Sequence, residues 1–468
     1  MAKLNRAATA PAPAAPAPAL PVTALGLTGY LFIGTAAVLI PSVMPFITDE
    51  YLATGLTLTA IGFIFPARAV GGILGNLLAG IASDRLGYSK LVWIAALALA
   101  ASMVLVAGAG LWLLFLAGFA LISIVQSSLT TGINAMVADA NRDSRARALN
   151  VLHGVYAVGA TISPLVFAIV LEQGVPWRWT MAATGLIWLV YGACALLLVR
   201  RVSPSTASPA GPATPFADDE PARAPDPEHK ETPHSGARTS TLSSTWAELE
   251  DALSSAWAEL QDVLSSAWAE LQDVLSSNLG MLRNAGFLSL FLIAFIYNGV
   301  AFSLLGWVAL FMQEFVGFSV FSSVSMISVF YIALTAGRFL CAAYAERLGY
   351  AATLLILAVG LALTYPLVIF STTAAPLVIG IFLTGLTLSG LFPTALAYGT
   401  RLYPQHSGSV TGVLNVAMTI GTMLPPLWTA IFSDIWSFQT ALGINYSMAL
   451  LLLAVCLYLT RLEPRTKS

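Results

Sequence analysis

Two short charged segments interrupt an otherwise apolar chain, and each lies between two long apolar runs. The first is Gly80-Ile-Ala-Ser-Asp84-Arg85-Leu-Gly87-Tyr88-Ser-Lys90, and the second is Glu346-Arg347-Leu-Gly349-Tyr350. Charged side chains at the mouth of a membrane helix are costly unless their partners are arranged for them. Their appearance at two corresponding places indicates a chain that is duplicated in its own interior.

Two arginines lie inside apolar runs, Arg68 in the second run and Arg338 in the eighth. An arginine within a bilayer is expensive and by default marks a functional site. Because a guanidinium binds carboxylates and vicinal oxygens through its forked donors, both arginines are candidates for binding an anionic or polyhydroxyl solute. The alternative is a structural role, in which each arginine caps helix carbonyls.

No Asp or Glu lies deep in any apolar run, whereas a proton relay normally needs a titratable group within the membrane. His153 is the mid-run candidate, since an imidazole titrates at about pH 6.5. Further polar and aromatic residues that could hold or stack on a small solute are Asn134, Tyr297, Asn298, Trp307 and Asn415. The alternative for each amide is a hydrogen bond to a neighbouring helix, worth about 1–2 kcal/mol or less.

The composition places these residues in a membrane protein. Of the 468 residues, 57% are hydrophobic and 9% are charged, whereas a soluble domain carries about 25% charged residues. The apolar runs have the length of membrane helices and lack the alternating polarity of barrel strands. Cys194, Cys341 and Cys456 all lie within apolar runs, so we interpret them as packing residues and predict no disulfide, metal or other cofactor.

Twelve spans divide into six before and six after a long polar insert. The predicted fold class is therefore an all-α integral membrane protein with two six-helix bundles. The spans are 22–47, 56–82, 91–109, 111–137, 148–171 and 179–199, then 287–311, 320–343, 352–370, 375–398, 408–432 and 440–459. The predicted domains are a disordered tail over 1–21, a bundle over 22–201, a linker over 202–282, a bundle over 283–461 and a tail over 462–468.

The distribution of Lys and Arg predicts the orientation. One set of connecting loops carries nearly all of these charges, whereas the opposite set carries Arg178 alone, which by the positive-inside rule is the outer set. Both termini and the insert are therefore predicted to be cytoplasmic, and the first span is interpreted as an uncleaved span rather than a signal peptide. We expect the protein to reside in the cell membrane.

The insert contains three copies of an eleven-residue repeat, around Trp246, Trp257 and Trp268. Its tryptophans and leucines recur three or four residues apart, which predicts an amphipathic helix over 243–279 with an acidic opposite face. This helix could lie on the membrane surface or pair with itself, although an acidic face opposes binding to anionic lipid. The alternative is a tether without a specific role.

The two halves align at an offset of 262 residues. This offset superposes Arg85 on Arg347, and His153 on Asn415, in two separate segments. A six-span repeat whose copies both begin inside predicts parallel halves related by an axis along the membrane normal, with the substrate near the midplane between them.

The twelve spans, the repeat, the long cytoplasmic loop and the Gly80–Lys90 motif resemble the major facilitator superfamily. Several stretches resemble its fucose-permease-like sugar:proton symporters, namely those around Asn134, 147–159, Tyr297 to Trp307, and 385–394. Related sequences often carry an acidic residue where this chain has Ala301, which puts proton coupling in doubt. The resemblance places Asn134, His153, Asn298 and Asn415 in spans that line the cavity.

The resemblance also implies a gating role for a set of charged and glycine residues near the inner ends. Gly80 would allow close helix approach, Asp84 would face the start of the eleventh span near Gly408, and Arg85 would pair with Asp139. The full predicted gating set is Gly80, Asp84, Arg85, Gly87, Asp139, Glu346 and Arg347. The alternative is that these are ordinary topogenic charges.

Together these observations predict a transporter of a small polar solute, sugar-like or an organic anion, that works by alternating access, with a proton or cation as the candidate coupling ion. The alternatives are an exporter of drugs or metabolites from the same superfamily and a membrane sensor or scaffold that uses the insert for partners. We expect a monomer in a lipid bilayer, no nucleic-acid partner, and no enzymatic activity, since no nucleotide loop or catalytic triad pattern is present.

Overall fold

The computed structural model of the chain describes residues 19–202, 265 and 281–462. The predicted terminal tails and amphipathic repeat lie outside this description, apart from the last few tail residues and position 265. The first half contains α1 (Ala19–Leu52), α2 (Leu58–Gly62), α3 (Ile64–Leu86), α4 (Tyr88–Gly108), α5 (Trp112–Ala140), α6 (Arg145–Glu172) and α7 (Trp177–Val202). The second half contains α8 (Ala285–Val316), α9 (Val320–Leu348), α10 (Tyr350–Phe370), α11 (Ala374–Leu388), α12 (Leu391–Leu402), α13 (Ser407–Ile435) and α14 (Phe438–Leu462).

Within the described residues, twelve candidate spans are long and apolar enough to cross a membrane. The pairs α2–α3 and α11–α12 each form one span, so the predicted twelve-span, all-helical fold class is confirmed. Several helices extend beyond the predicted runs; the first, for example, is predicted over 22–47 and is helical over Ala19–Leu52. The difference arises because backbone hydrogen bonding continues past the last apolar residue into the interfacial turns.

The packing of the helices repeats between the halves. In the first half α1 packs on α6, α3 on α5 and α4 on α7, and in the second α8 packs on α13, α9 on α11 and α10 on α14. Gly159 of α6 lies against the carbonyl of Leu31 in α1, and Gly421 of α13 lies against the carbonyl of Phe295 in α8. A side chain at either glycine would collide with backbone, so both glycines permit the close approach of neighbouring helices.

The two charged turns also have matching backbones. Gly87 has φ 76° and ψ 151°, and Gly349 has φ 86° and ψ 146°. This conformation is essentially restricted to glycine because a Cβ atom would clash with the backbone. Each glycine ends one span and begins the next, which explains why the turn can be so short.

Two spans are broken. The second is interrupted at Phe63, after a short helix whose Thr57 cap accepts a hydrogen bond from the N–H of Ala60 at 3.2 Å. The tenth is interrupted at Ser389–Gly390, four residues before Pro393. Proline has no N–H to donate to the carbonyl four residues earlier, so the break occurs where that hydrogen bond is missing.

The two halves contact each other at their predicted outer ends and are separated at their predicted inner ends. Near the outer ends Gly62 lies against Ala430 of α13, and Gly306 lies against Phe65 of α3. Near the inner ends, no described atom outside the local helix comes within 4 Å of the Cβ positions of Gly80 or Gly408. The cavity between the halves is therefore open toward the predicted inner side.

Candidate functional site

Two adjoining chambers lie between the halves. The central chamber has a volume of about 370 Å³ and the neighbouring chamber has a volume of about 220 Å³. They share three aromatic side chains, those of Tyr156, Phe302 and Tyr331. Because both halves contribute to each chamber, a solute held there would contact both halves.

The chambers meet at a group of two arginines and two tyrosines, here called the Arg–Tyr cluster: Arg68 of α3, Tyr156 of α6, and Tyr331 and Arg338 of α9. The hydroxyls of Tyr156 and Tyr331 lie close to each other, and both are within electrostatic range of the guanidinium groups of Arg68 and Arg338. Arg68 lines the central chamber and Arg338 lines the neighbouring one.

The position of each member follows from helix geometry. Tyr331 and Arg338 are seven residues apart, so they lie on the same face of α9 two turns from each other. Tyr156 and Ala157 lie on the face of α6 that lines the neighbouring chamber. Arg68 is in the first half of α3, just after the break at Phe63, which places it near the middle of the second span.

The cluster is cationic and has no acidic neighbour among the described residues that line the two chambers. Arg68 forms neither a hydrogen bond nor an ion pair with any of the residues that the structure describes. A charge that is removed from water without a counter-charge is costly. An anion bound at the Arg–Tyr cluster would therefore supply the negative charge that the described lining of the chambers lacks.

Tyr297 and Asn298 both line the neighbouring chamber, but their side chains make different contacts. Tyr297 stacks on Phe392 with ring centroids 6.2 Å apart. The Nδ2 atom of Asn298 donates to the carbonyl of Met418 at 2.9 Å and to the hydroxyl of Thr422 at 2.6 Å. Asn298 therefore joins α8 to α13 in this conformation, as the helix-packing alternative predicted.

Asn134 and His153 meet at Tyr30 beside the chambers. The rings of Tyr30 and His153 are edge to face with centroids 5.3 Å apart. The Tyr30 hydroxyl lies near the Asn134 side chain, and both side-chain oxygens are buried without a hydrogen-bond partner among the described residues. His153 is exposed on its other side and interacts electrostatically with Arg338 across the interface. It therefore lies at the inner mouth of the cavity.

Trp307 is a correction to the predicted site. Its side chain is fully buried, and its indole N–H donates to the carbonyl of Pro426 at 3.0 Å. The ring packs between Phe65 and Phe438 and does not line either chamber. The reason is rotational position on α8: Trp307 faces α13 and α14, whereas Tyr297 faces the chamber.

Asn415 is exposed on α13, one turn before Met418 and two turns before Thr422, which line the chambers. It therefore lies on the cavity-facing side of α13 nearer the inner opening, at the position that corresponds to His153 in the repeat. Neither side chain reaches the Arg–Tyr cluster through a described hydrogen bond.

The predicted gating residues are spread over the inner ends. Asp139 forms an ion pair with Arg145 at 3.4 Å, within the first half. Arg85, Glu346 and Arg347 are exposed, and Glu346 lines a cleft of about 360 Å³ that also reaches Arg338. The side chain of Asp84 lies outside the described residues. The predicted contacts of Gly80, Asp84 and Arg85 belong to a state with closed inner ends and stay predictions.

Several residues of the chambers were not identified from the sequence. Tyr331 is the most important, and its one signal is its position seven residues before Arg338. Asn76 of the central chamber is the repeat equivalent of Arg338 at the offset of 262 residues. The remaining polar contributions to this chamber are from Ser123, Gln126, Ser127, Thr130 and Thr422. Apart from Gln126, these small hydroxyls resemble ordinary helix-packing residues in sequence, which is why they gave no signal.

Residues 26–374 and 325–468 match the profile of the Major Facilitator Superfamily. The chain belongs to that superfamily. This result confirms the resemblance seen in the sequence at the level of the superfamily, and together with the twelve candidate spans it makes the protein an integral, multi-pass membrane protein.

A curated relative matches over a short segment. The sodium-dependent glucose transporter 1 of Xenopus laevis is 29% identical over 112 residues, which are 24% of this chain and 23% of that protein. The chain thus aligns with less than a quarter of that relative's length.

Solved structures match over nearly the whole chain. A variant of the nucleoside transporter NupG has a TM-score of 0.66 at 12% identity, covering 94% of this chain and 99% of that one. A bacterial homologue of the human lysosomal transporter Spinster, inward-facing and occupied, has a TM-score of 0.68 at 12% identity, covering 94% and 97%. The peptide transporter POT in complex with sulfate has a TM-score of 0.63 at 15% identity, covering 94% and 95%. At these identities, the similarity establishes the fold.

Proposed function

We propose that this transporter moves a small organic anion across the membrane by alternating access. The observation that carries the proposal is the convergence of Arg68 and Arg338 on the Tyr156 and Tyr331 hydroxyls, without an acidic residue in the described lining of either chamber. A carboxylate or another oxyanion bound there would accept hydrogen bonds from both guanidinium groups and both hydroxyls. The combined volume of the chambers suits a solute of metabolite size.

The second candidate is a neutral, sugar-like solute. It is favoured by the hydroxyl and amide groups around the central chamber, by the fucose-permease-like stretches, and by the partial match to a sodium-dependent glucose transporter. Tyrosine and asparagine side chains can bind sugar hydroxyls without a charge on the solute. A sugar acid would satisfy both candidates, because it carries hydroxyls and a carboxylate.

Uptake into proteoliposomes distinguishes these candidates. The purified protein is reconstituted and offered radiolabelled lactate, succinate, gluconate, glucose and fucose, each with and without a pH gradient and sodium ions. We expect saturable uptake of at least one of the three carboxylates and little uptake of the neutral sugars. Uptake of the neutral sugars alone would favour the second candidate. Absence of flux for every solute would favour a sensor or scaffold.

Variants of the two arginines test whether the transported anion binds at the Arg–Tyr cluster. Arg68→Gln and Arg338→Gln each remove one charged donor, so we expect the KM for the anion to rise about tenfold or more. Arg142→Gln is the matched control, because Arg142 is exposed, lines neither chamber and is outside the predicted gating set. Equal effects of all three variants would argue against a binding role for the cluster.

For the coupling ion, we propose that His153 carries a proton in any proton-coupled transport. The support is its position at the inner mouth, in contact with Tyr30 and within electrostatic reach of Arg338. His153→Asn places the residue of the equivalent position, Asn415, in the first half. We expect this variant to lose the stimulation by a pH gradient and to keep exchange of labelled for unlabelled solute.

We further propose a monomer in the cell membrane with cytoplasmic termini, so that the cavity opens toward the cytoplasm. The asymmetry of Lys and Arg supports this orientation. Export of the solute uses the same cycle in the opposite direction. The direction of net flux is then determined by the gradients and is read from uptake assays with right-side-out and inside-out vesicles.

A further inference from the structure

Two carboxylates connect the halves at their predicted outer ends. Asp434, near the end of α13, accepts hydrogen bonds from the backbone N–H groups of Leu58 at 3.0 Å and Thr59 at 2.7 Å, at the start of α2. Glu172, at the end of α6, accepts a hydrogen bond from the N–H of Phe321 at 2.7 Å, at the start of α9. In both cases the carboxylate belongs to one half and the N–H groups belong to the other.

The two contacts are copies of each other. The offset of 262 residues, which superposes the charged turns, also superposes Glu172 on Asp434 and Thr59 on Phe321. The two acceptor positions and the two donor positions are thus each separated by 262 residues. Both pairs lie far from the charged turns in the chain. Such a correspondence is expected when two halves are related by a two-fold axis and each half binds the other by the same contact.

The contacts have a clear physical basis. The first N–H groups of a helix have no partner within the helix, and they form its positive end. A carboxylate satisfies these groups through charge-assisted hydrogen bonds. Because the donors and acceptors lie on different halves, the bonds exist only while the outer ends are closed.

A second acidic pair opposes the closure. Asp49 of α1 and Glu314 of α8 belong to different halves and repel each other at the same outer ends. Like charges in such a position disfavour the state that brings them together. The two carboxylate contacts act against this repulsion and add to the packing contacts between the halves at the outer ends.

We propose that Glu172 and Asp434 are gating residues, a two-fold related pair of outer latches that stabilise the inward-open state and must open before the cavity can face outward. Each latch forms only in the inward-open state. Its loss therefore shifts the conformational equilibrium toward the outward-open state. The latches act on the conformational equilibrium whatever solute is transported. Their role can therefore be tested without knowing the substrate.

The conformational equilibrium can be measured by spin labels at Leu111 and Thr373, which are equivalent positions in exposed outer loops of the two halves. Neither residue's side chain caps its helix, so replacement by cysteine should cost little stability. The native cysteines are removed by Cys194→Ser, Cys341→Ala and Cys456→Ala. Double electron–electron resonance then gives the distance between the labels and the fraction of molecules with open outer ends.

We expect Glu172→Gln and Asp434→Asn each to increase the ratio of open to closed outer ends about three- to tenfold, and the double variant to increase it by about the product of the single effects. Glu172→Asp and Asp434→Glu keep the charge and should stay close to the reference. Asp49→Asn is the matched control, because it removes an outer carboxylate that repels. We expect it to leave the outer ends closed.

Variants of the N–H donors provide a second test of the same contacts, which can be used if the carboxylate variants misfold. Thr59→Pro and Phe321→Pro each remove one N–H donor in the first turn of a helix, where proline is tolerated, and leave both carboxylates in place. They should shift the distances in the same direction, and Thr59→Pro should add little to Asp434→Asn. An unchanged distance distribution in the monodisperse double variant, or an increase in open outer ends with Asp49→Asn, would overturn the proposal.

Discussion

Glu50 accepts hydrogen bonds from the Arg178 guanidinium on both carboxylate oxygens, at 2.5 Å and 3.4 Å. The same carboxylate accepts the indole N–H of Trp177 at 2.8 Å. Arg178 also donates to the carbonyls of Ala107 and Ala109 at the end of α4, both at 2.8 Å. The one basic residue of the predicted outer loops therefore joins α1, α4 and α7 of the first half.

Removal of this arginine should lower stability more than transport. Arg178→Gln leaves Glu50 without its ion pair and two carbonyls of α4 without a donor, so we expect a loss of about 1–3 kcal/mol in the free energy of unfolding. Thermal unfolding in detergent, followed by the loss of monodisperse protein, measures the change. Arg142→Gln at an exposed inner position is the control. An equal shift for both variants would contradict the structural role.

The hydroxyl of Tyr331 should matter for binding. Tyr331→Phe keeps the ring and removes the group that interacts with Tyr156 and the two arginines, so we expect the KM for the transported anion to rise about fivefold to tenfold while thermal stability is retained. Tyr344→Phe, on an exposed face of the same helix, is the control. A KM unchanged by Tyr331→Phe would remove the hydroxyl pair from the binding site.

Trp307 should behave as a packing residue. Trp307→Phe removes the hydrogen bond to Pro426 and part of a buried ring, so we expect a loss of about 1–3 kcal/mol in stability and no change in KM. Thermal unfolding and uptake kinetics are compared on the same preparation. A raised KM with unchanged stability would restore Trp307 to the substrate site and contradict its placement between Phe65 and Phe438.

Gly349 and Gly80 should differ in their roles, with Gly349 needed for stability and Gly80 needed for gating. Gly349→Ala forces a side chain into a conformation restricted to glycine and should cost about 1–3 kcal/mol of stability. Gly80→Ala introduces a methyl group into open space within a helix, so stability should be unchanged or slightly higher in the inward-open state. If Gly80→Ala nevertheless slows transport, Gly80 is needed when the inner ends close. Normal transport would remove it from the gating set.

Part of the site could be predicted because a charge in an apolar run is conspicuous. Arg68 and Arg338 stood out for that reason, and both line the chambers. Tyr331 did not stand out, because a tyrosine in a span is compatible with packing, stacking or binding. Its role depends on Tyr156, which is distant in the chain and belongs to the other half. The placement of Trp307 was wrong because the sequence does not define which face of α8 meets the cavity.

The sequence by itself determined the number of spans and the six-plus-six duplication, because the hydropathy that marks a membrane span acts over a short stretch of chain. The tertiary structure decided which polar groups meet in the Arg–Tyr cluster, and that Glu172 and Asp434 bind helix starts in the opposite half. Those contacts depend on how each helix is rotated and where two separate bundles touch. Hydrogen bonds and ion pairs act over a few ångströms, and only packing brings residues far apart in the chain within that range.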